Sequence, residues 1–159
     1  MKRLMRFLAL AGCLGLLGVQ GVLGQNIPGD APPEVQKEIS RLASPKVQER
    51  GQAVQALGRM GARAAPAVPA LIKALPDRGK VPKKVGTTRA TAWTNVGSEA
   101  AHALTQIGPP AVPHLIEALK DENWLIQGRA LWSLRRITGQ DFGKDHQKWR
   151  QWWEKQDHP

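Results

Sequence analysis

Two patterns of apolar residues alternate along the chain and predict pairs of helices. In the first pattern an alanine is followed four residues later by a leucine, and it recurs in the segments 51–60, 98–107 and 128–137. The second pattern, Ala-Val-Pro-x-Leu-Ile-x-Ala-Leu, occurs at 67–75 and 111–119, and residues 34–43 are a degenerate copy of it. Apolar residues spaced three and four apart form one face of an α-helix, so each pattern predicts a helix with one buried side.

The alternation predicts an all-α fold, a right-handed α-α superhelix of about three helix pairs closed by a C-terminal capping helix. One pair cannot bury its own apolar face, so neighbouring pairs must stack on it. Gly61 and Gly108 follow the first two copies of the longer helix, and glycine at such a position can adopt the left-handed conformation that ends a helix. We expect a single solenoid domain over residues 33–157.

The residues of these patterns resemble the HEAT repeat, and specifically the phycobilisome-lyase HEAT-like type. That type has an Ala-x-x-Ala-Leu-x-x-Ile-Gly helix followed by Ala-Val-Pro-x-Leu-Ile-x-x-Leu-x-Asp. Segments 100–108 and 111–121 match it nearly throughout, and the resemblance covers residues 33–139. An arginine that the family has after the opening valine is absent, because Gln48 follows Val47 and Gly97 follows Val96. The resemblance implies an α-solenoid.

Residues 1–24 have the layout of a secretory signal peptide. Three cations lie within the first six residues, residues 7–23 are almost wholly apolar, and Val22 and Gly24 are suited to the −3 and −1 positions of a cleavage site. We therefore predict an exported protein, periplasmic or extracellular, in which residues 25–32 form a flexible segment ahead of the solenoid.

Two alternatives to cleavage are an uncleaved membrane anchor and a lipoprotein attached at Cys13. Four glycines and Gln20 weaken the apolar stretch as a membrane span. The sequence Leu10-Ala11-Gly12-Cys13 resembles a lipoprotein box, but the apolar stretch continues beyond Cys13 where a lipoprotein would become polar.

The formal net charge of the chain is +10, and it falls to +7 once the three cations of the leader are removed. Cys13 is the only cysteine, so the exported chain would have neither a disulfide nor a thiol. The positive charge permits weak attraction to acidic partners. Because export places the chain outside the cytoplasm, we do not expect nucleic acid as a partner.

The sequence has no combination of residues that is typical of a catalytic or metal site. The four histidines have no zinc-like spacing to cysteines or carboxylates, and neither Gly-x-Ser-x-Gly nor a phosphate-binding loop occurs. We therefore expect no catalytic residue, no metal and no cofactor.

One interruption of the repeats is a basic loop predicted over residues 76–87. Its cations are Arg78, Lys80, Lys83 and Lys84. They either contact an acidic partner or are simply solvated. We expect Trp93, which follows the loop, to face the core where the next helix begins.

The other interruption is a Trp-rich terminal helix predicted over residues 145–156. Asp145 can cap it, and Trp149, Trp152 and Trp153 fall at i, i+3 and i+4, so they share one face. Either this face covers the open end of the solenoid, which a repeat array requires, or it binds sugars or a partner.

Equivalent outward positions of the three longer helices align in three rows. The rows are Gln52, Glu99 and Arg129; Gln55, His102 and Trp132; and Arg59, Gln106 and Arg136. In HEAT-like folds the second helix of each pair lines the concave surface, so the resemblance makes these nine residues a candidate partner-binding surface. The alternative is that they are solvated and that the terminal helix covers Trp132.

We accordingly predict a monomeric, non-catalytic scaffold that binds another protein, which could be acidic, and that meets a membrane only through its N-terminus. The resemblance leaves two other functions open. Members of the wider family attach or remove bilin chromophores, which implies a lyase-like or other enzyme-associated role. Other HEAT-like proteins bind nucleic acid.

Overall fold

A computed structural model of the chain describes residues 31–84 and 91–156. The predicted leader, with Cys13, and residues 25–30 of the predicted flexible segment lie outside the described residues. Within the two described ranges, every helix is too short or too polar to cross a lipid bilayer.

The described chain consists mainly of helices, which form antiparallel pairs α1/α2, α3/α4 and α5/α6, and α7 closes the array. Their bounds are α1 Pro33–Arg41, α2 Val47–Met60, α3 Val68–Ala74, α4 Val96–Ile107, α5 Val112–Ala118, α6 Trp124–Thr138 and α7 His146–Glu154. The prediction of an all-α solenoid of about three pairs with a terminal capping helix is confirmed.

Two glycines follow the longer helices as predicted, but they do not adopt the left-handed helical conformation, because ψ is −138° at Gly61 and −140° at Gly108. Gly61 follows α2 with φ 57°, and Gly108 follows α4 with φ 81°, a backbone conformation that residues with a Cβ rarely adopt. Each glycine leads into a 3₁₀ turn, Gly61–Ala67 or Pro109–Ala111, which enters the next helix directly. The chain thereby reverses within a few residues and keeps consecutive helices in contact.

A continuous apolar core runs through all the pairs. Each helix contributes side chains that are almost wholly inaccessible to solvent: Val35, Leu57, Leu71, Leu104, Leu115, Leu134 and Trp149. The residues that identified the repeats are thus the ones that pack between neighbouring pairs, which explains why the repeat pattern is so regular.

The segment predicted as a loop over 76–87 contains a β-strand. Strand β1 (Lys80–Lys84) pairs antiparallel with β2 (Thr91–Asn95), and Pro82 lies opposite Trp93. Val81 is buried against α2, where a Cβ at Gly51 would overlap it. This apolar contact fixes the base of the hairpin on the solenoid, and β-prone residues such as Thr94 favour the extended conformation.

The prediction that Trp93 faces the core is wrong, because 68% of its surface is exposed. Successive side chains of a strand point to opposite faces. Val81 and its partner Thr94 lie on the face that meets α2, so Trp93 and its partner Pro82 lie on the other face.

Candidate functional site

The second helices of the three pairs lie side by side, with α4 between α2 and α6. The backbones of α2 and α4 approach closely at Gly58, where an added Cβ would lie only 3.2 Å from the Cα of Ala103. A Cβ at Gly61 would lie 3.7 Å from the carbonyl oxygen of Gln106, so the two helices run in the same direction. Parallel neighbours bring equivalent positions into rows, as the sequence predicted.

A groove of about 250 Å³ lies between α2 and α4, and we call it the first groove. Five of the nine predicted surface residues line it: Gln55, Arg59, Glu99, His102 and Gln106. Val54 and Ala103 complete its lining and are buried. The first groove therefore has an apolar floor and polar walls.

Glu99 differs from the other residues of the first groove because it exposes only 9% of its surface. Its Oε1 is inaccessible to solvent and has no hydrogen-bond partner among the described residues. The sequence predicted an outward position for Glu99. The close approach of α2 and α4 instead covers it. A buried carboxylate oxygen without a hydrogen-bond donor lowers the stability of the fold, because it has lost its hydration without gaining a partner.

A second groove, of about 380 Å³, lies between α4 and α6. It is lined by Ser98, Ala101, His102, Gly128, Arg129 and Trp132, so His102 belongs to both grooves. The two grooves are thus neighbours on one face, separated by a single side chain of α4.

His102, which the two grooves share, belongs to a stack of three side chains. The rings of His102 and Trp132 meet edge to face with 4.8 Å between their centroids, and the guanidinium carbon of Arg136 lies 5.8 Å from the centre of the Trp132 ring. Ring–ring and cation–π contacts of this kind hold side chains in a fixed arrangement. Trp132 nevertheless exposes 37% of its surface, so α7 does not cover it.

Arg129 is occupied with contacts inside the protein. From α6 it donates hydrogen bonds to the carbonyl oxygen of Leu75, to Oδ1 of Asn95 (2.7 Å) and to Oγ of Ser98 (3.4 Å). Burial, and after it the charge of Arg78, lower the pKa of Arg129 below its ordinary value. Arg129 therefore joins the end of α3, the start of α4 and α6, and it serves the fold.

In the first and third predicted rows, some side chains form contacts within the protein and others are exposed to solvent. Gln52 accepts a hydrogen bond of 2.8 Å from Arg41 at the first end of the solenoid. Arg59 and Arg136 are exposed, and neither forms an ion pair with a residue of the described ranges. The structure thus gathers Gln55, Glu99, His102, Gln106 and Trp132 around the grooves, with two available guanidinium groups at their edges.

An ion pair between Arg50 and Asp77 was not foreseen from the sequence. Arg50 Nε lies 2.7 Å from Asp77 Oδ2, both side chains are about four-fifths buried, and Arg50 also donates to the carbonyl oxygen of Ser44. Burial raises the pKa of Asp77, but hydrogen bonds from Arg50 and from the N–H of Gly79 outweigh burial and hold it below the ordinary value of 3.8. The recurrence of Asp77 as Asp121 at the end of both repeats was the available signal.

The cations of the predicted basic loop lie at the base and on the first strand of the hairpin. Arg78 and Lys80 are exposed, as is Trp93. Lys83 and Lys84 belong to β1, and their side chains lie outside the described part of the structure. The hairpin therefore presents a basic and aromatic surface of its own.

The terminal helix α7 packs against α5 and closes the array. Trp149 is wholly buried, its Nε1 donates a 2.8 Å hydrogen bond to the carbonyl oxygen of Gly143, and its ring meets Phe142 edge to face. Trp152 and Trp153 are partly buried against the core. The three tryptophans thus cover the open end of the solenoid.

In the ranges 31–84 and 91–156, histidine, cysteine and carboxylate side chains form no group of three or more that could hold a metal ion.

The comparison with protein families agrees with the alternation of longer and shorter helices. The PBS lyase HEAT-like repeat family matches residues 49–75, which contain most of α2 and all of α3, and residues 96–121, which contain α4 and α5. No curated protein matches the chain significantly. The chain therefore contains two repeats that match the PBS lyase HEAT-like type, at residues 49–75 and 96–121.

Proposed function

We propose that the protein is an exported, non-catalytic scaffold that binds another protein through the face formed by α2, α4 and α6. The observation that carries this proposal is the pair of adjacent grooves that share His102, together with the stack of His102, Trp132 and Arg136 beside them. Tryptophan and arginine are the residue types most often found to dominate binding energy at protein interfaces.

Two side chains of this face, Arg59 and Arg136, are exposed and form no ion pair within the described residues, so they are available for a partner. Side chains held in a fixed arrangement lose little conformational entropy when a partner binds, and the stack of Trp132 is held in this way. Exposed guanidinium groups on a chain whose net charge is +7 once the leader is removed favour a partner with acidic side chains.

The sizes of the grooves favour a protein partner over a bilin-sized ligand. Pockets for small molecules and cofactors usually measure about 300–1,000 Å³. The first groove, at about 250 Å³, lies below this range, and the second, at about 380 Å³, lies near its lower end. Both are open to solvent and better suited to side chains of a partner than to a whole tetrapyrrole, so we rank the lyase-like role below the scaffold. Nucleic-acid binding also ranks below it, because export would place the chain outside the cytoplasm.

Affinity capture tests the binding surface. The protein would be expressed with its own leader, tagged at its carboxyl end, crosslinked in cells and purified with its partner. We expect Trp132→Ala and Arg136→Gln to lose that partner, since each removes part of the stack. The matched controls are Trp124→Ala, an exposed tryptophan of the same helix, and Lys37→Gln, an exposed cation of α1.

Equal recovery of the partner with all four variants would contradict the proposed surface. Export is tested separately by fractionating the cells and measuring the mass of the purified protein. An unprocessed chain found in the cytoplasm would contradict export and would restore nucleic acid as a possible partner.

A further inference from the structure

The first groove carries opposite charges at its two ends. Glu99 lies in the first turn of α4, and Arg59 lies in the last turn of α2. Because α2 and α4 run in the same direction, Glu99 lies beside Gln55 at one end and Arg59 lies beside Gln106 at the other. The contacts at Gly58 and Gly61 bring position 58 beside 103 and 61 beside 106, so Glu99 is level with Val54. Arg59 lies five residues further along α2, which corresponds to about 7–8 Å along a helix.

The negative end of the first groove lacks a hydrogen-bond donor. Glu99 is nine-tenths buried and lines the groove, and its Oε1 has no partner among the described residues. Buried polar atoms are nearly always paired in folded proteins, so an unpaired one needs an explanation. Oε1 is covered in the unbound protein, so the Glu99 side chain must turn towards the groove before a donor of the partner reaches it. A carboxylate is matched best by a charged donor, because charge-assisted hydrogen bonds are the stronger kind.

The positive end of the first groove lacks an acidic partner. Arg59 is exposed and forms no ion pair within residues 31–84 and 91–156. Its planar guanidinium group suits a carboxylate, which it can bind through two parallel hydrogen bonds. The floor between the two charges is apolar, since it is formed by Val54 and Ala103.

We propose that the first groove binds two oppositely charged side chains of the partner, a lysine or arginine at Glu99 and an aspartate or glutamate at Arg59, about 7–8 Å apart. This inference rests on the proposed function and specifies the chemistry of the partner. A groove of about 250 Å³ is smaller than most small-molecule pockets, which favours two side chains over a free ligand. The arrangement also excludes segments with two like charges, since one of them would meet its own sign.

Binding of fluorescently labelled peptides to the full-length protein tests the charge pattern. Each peptide has about ten residues in a Gly-Ser background. The first contains an arginine and an aspartate two residues apart, which places both side chains on the same side of an extended chain about 7 Å from each other. The second contains glutamine and asparagine at those positions, and the third contains two aspartates. We expect the Arg–Asp peptide to bind roughly tenfold more tightly than the other two.

Two variants that each remove one charge identify the ends of the groove. Glu99→Gln and Arg59→Gln should each reduce binding of the Arg–Asp peptide to the level of the neutral peptide. Glu154→Gln and Lys37→Gln change the net charge by the same amounts at exposed positions of α7 and α1, and they should bind like the unchanged protein. Because Arg59 is exposed, Arg59→Gln is expected to fold even if Glu99→Gln does not.

The inference is overturned if the peptides bind equally, if none binds, or if Arg59→Gln keeps the full preference for the Arg–Asp peptide. Equal binding together with unchanged stability of Glu99→Gln would mean that Oε1 holds an ordered water only. If Trp132→Ala loses the captured partner while both groove variants keep it, this inference fails and the proposed function stands. If none of these variants affects capture, the proposed function itself fails.

Discussion

At the scale of single residues, an arginine from a later repeat occupies the space that a glycine leaves in an earlier one. Gly97 stands where the family has an arginine, and an added Cβ there would overlap both the carbonyl oxygen of Leu75 and Nη1 of Arg129. Arg129 lies 54 residues beyond Leu75 in the chain and donates to that carbonyl. The contact between repeats thus depends on the absence of a side chain at position 97.

We predict that Gly97→Ala destabilises the protein, although alanine favours helices. Overlap with a fixed backbone atom typically costs about 1–3 kcal/mol. Gly128→Ala is the matched control, because Gly128 is also helical and an added Cβ there would meet no heavy atom within 4 Å. That change should be neutral or raise stability by up to about 1 kcal/mol. Urea unfolding measures both, and equal effects would contradict the contact described here.

At the scale of elements, the position of a tryptophan in its helix or strand decides its exposure. Trp149 in α7 is wholly buried. Trp124 at the start of α6 is 66% exposed, and Trp93 in β2 is exposed to a similar extent. Trp149 faces α5, and the other two lie on sides that no element covers. The same residue type therefore serves the core in one element and the surface in two others.

We predict a large difference in stability between two tryptophan substitutions. Trp149→Ala removes a buried ring and its hydrogen bond to Gly143, and truncation of a buried aromatic side chain costs about 3–5 kcal/mol. Trp124→Ala removes an exposed ring and should change stability by less than about 0.5 kcal/mol. Thermal unfolding followed by circular dichroism compares them. Similar melting temperatures would contradict the role of α7 as a cap, and loss of partner binding without loss of stability would make its tryptophans a binding surface.

At the scale of the whole molecule, stability against acid depends on carboxylates that accept hydrogen bonds. Hydrogen bonds lower the pKa of several exposed carboxyl groups, namely Glu49, Glu117, Asp141 and Asp145. Asp77 differs because burial opposes the hydrogen bonds that hold its pKa below 3.8. A carboxyl group whose folded pKa lies below its unfolded value stabilises the fold above the unfolded value, and this stabilisation is lost as the pH falls through the folded pKa. The protein should therefore lose stability below about pH 4.

We predict that Asp77→Asn lowers the free energy of unfolding at neutral pH and makes that free energy depend less on pH in the acid range. Leaving Arg50 without its charged partner should cost about 1–3 kcal/mol near pH 7. The difference in unfolding free energy between the variant and the unchanged protein should become smaller below about pH 4, because Asp77 of the unchanged protein is then protonated and loses its charge. Glu122→Gln, at an exposed position, is the control. A gap of constant size in urea unfolding from about pH 7 to about pH 3 would contradict the contribution of this ion pair.

The sequence by itself determined the repeat, the pairing of the helices and the ends of the longer ones. These follow from local rules: alanine and leucine at helical spacing must face a neighbour, and Gly61 and Gly108 permit the conformation that ends a helix. The rows of outward positions could also be predicted, because parallel helices with the same repeat bring equivalent residues side by side.

Only the tertiary structure decided what each of those outward residues does. Arg129 and Arg136 lie in the same helix, yet one joins two repeats and the other lies exposed beside the ring of Trp132. Glu99 is buried because α2 and α4 approach closely, and Trp93 is exposed because the anchored side of the hairpin carries Val81. Each outcome depends on residues from another repeat or strand. A helical or extended pattern within one segment cannot show such contacts, because it contains only the residues of that segment.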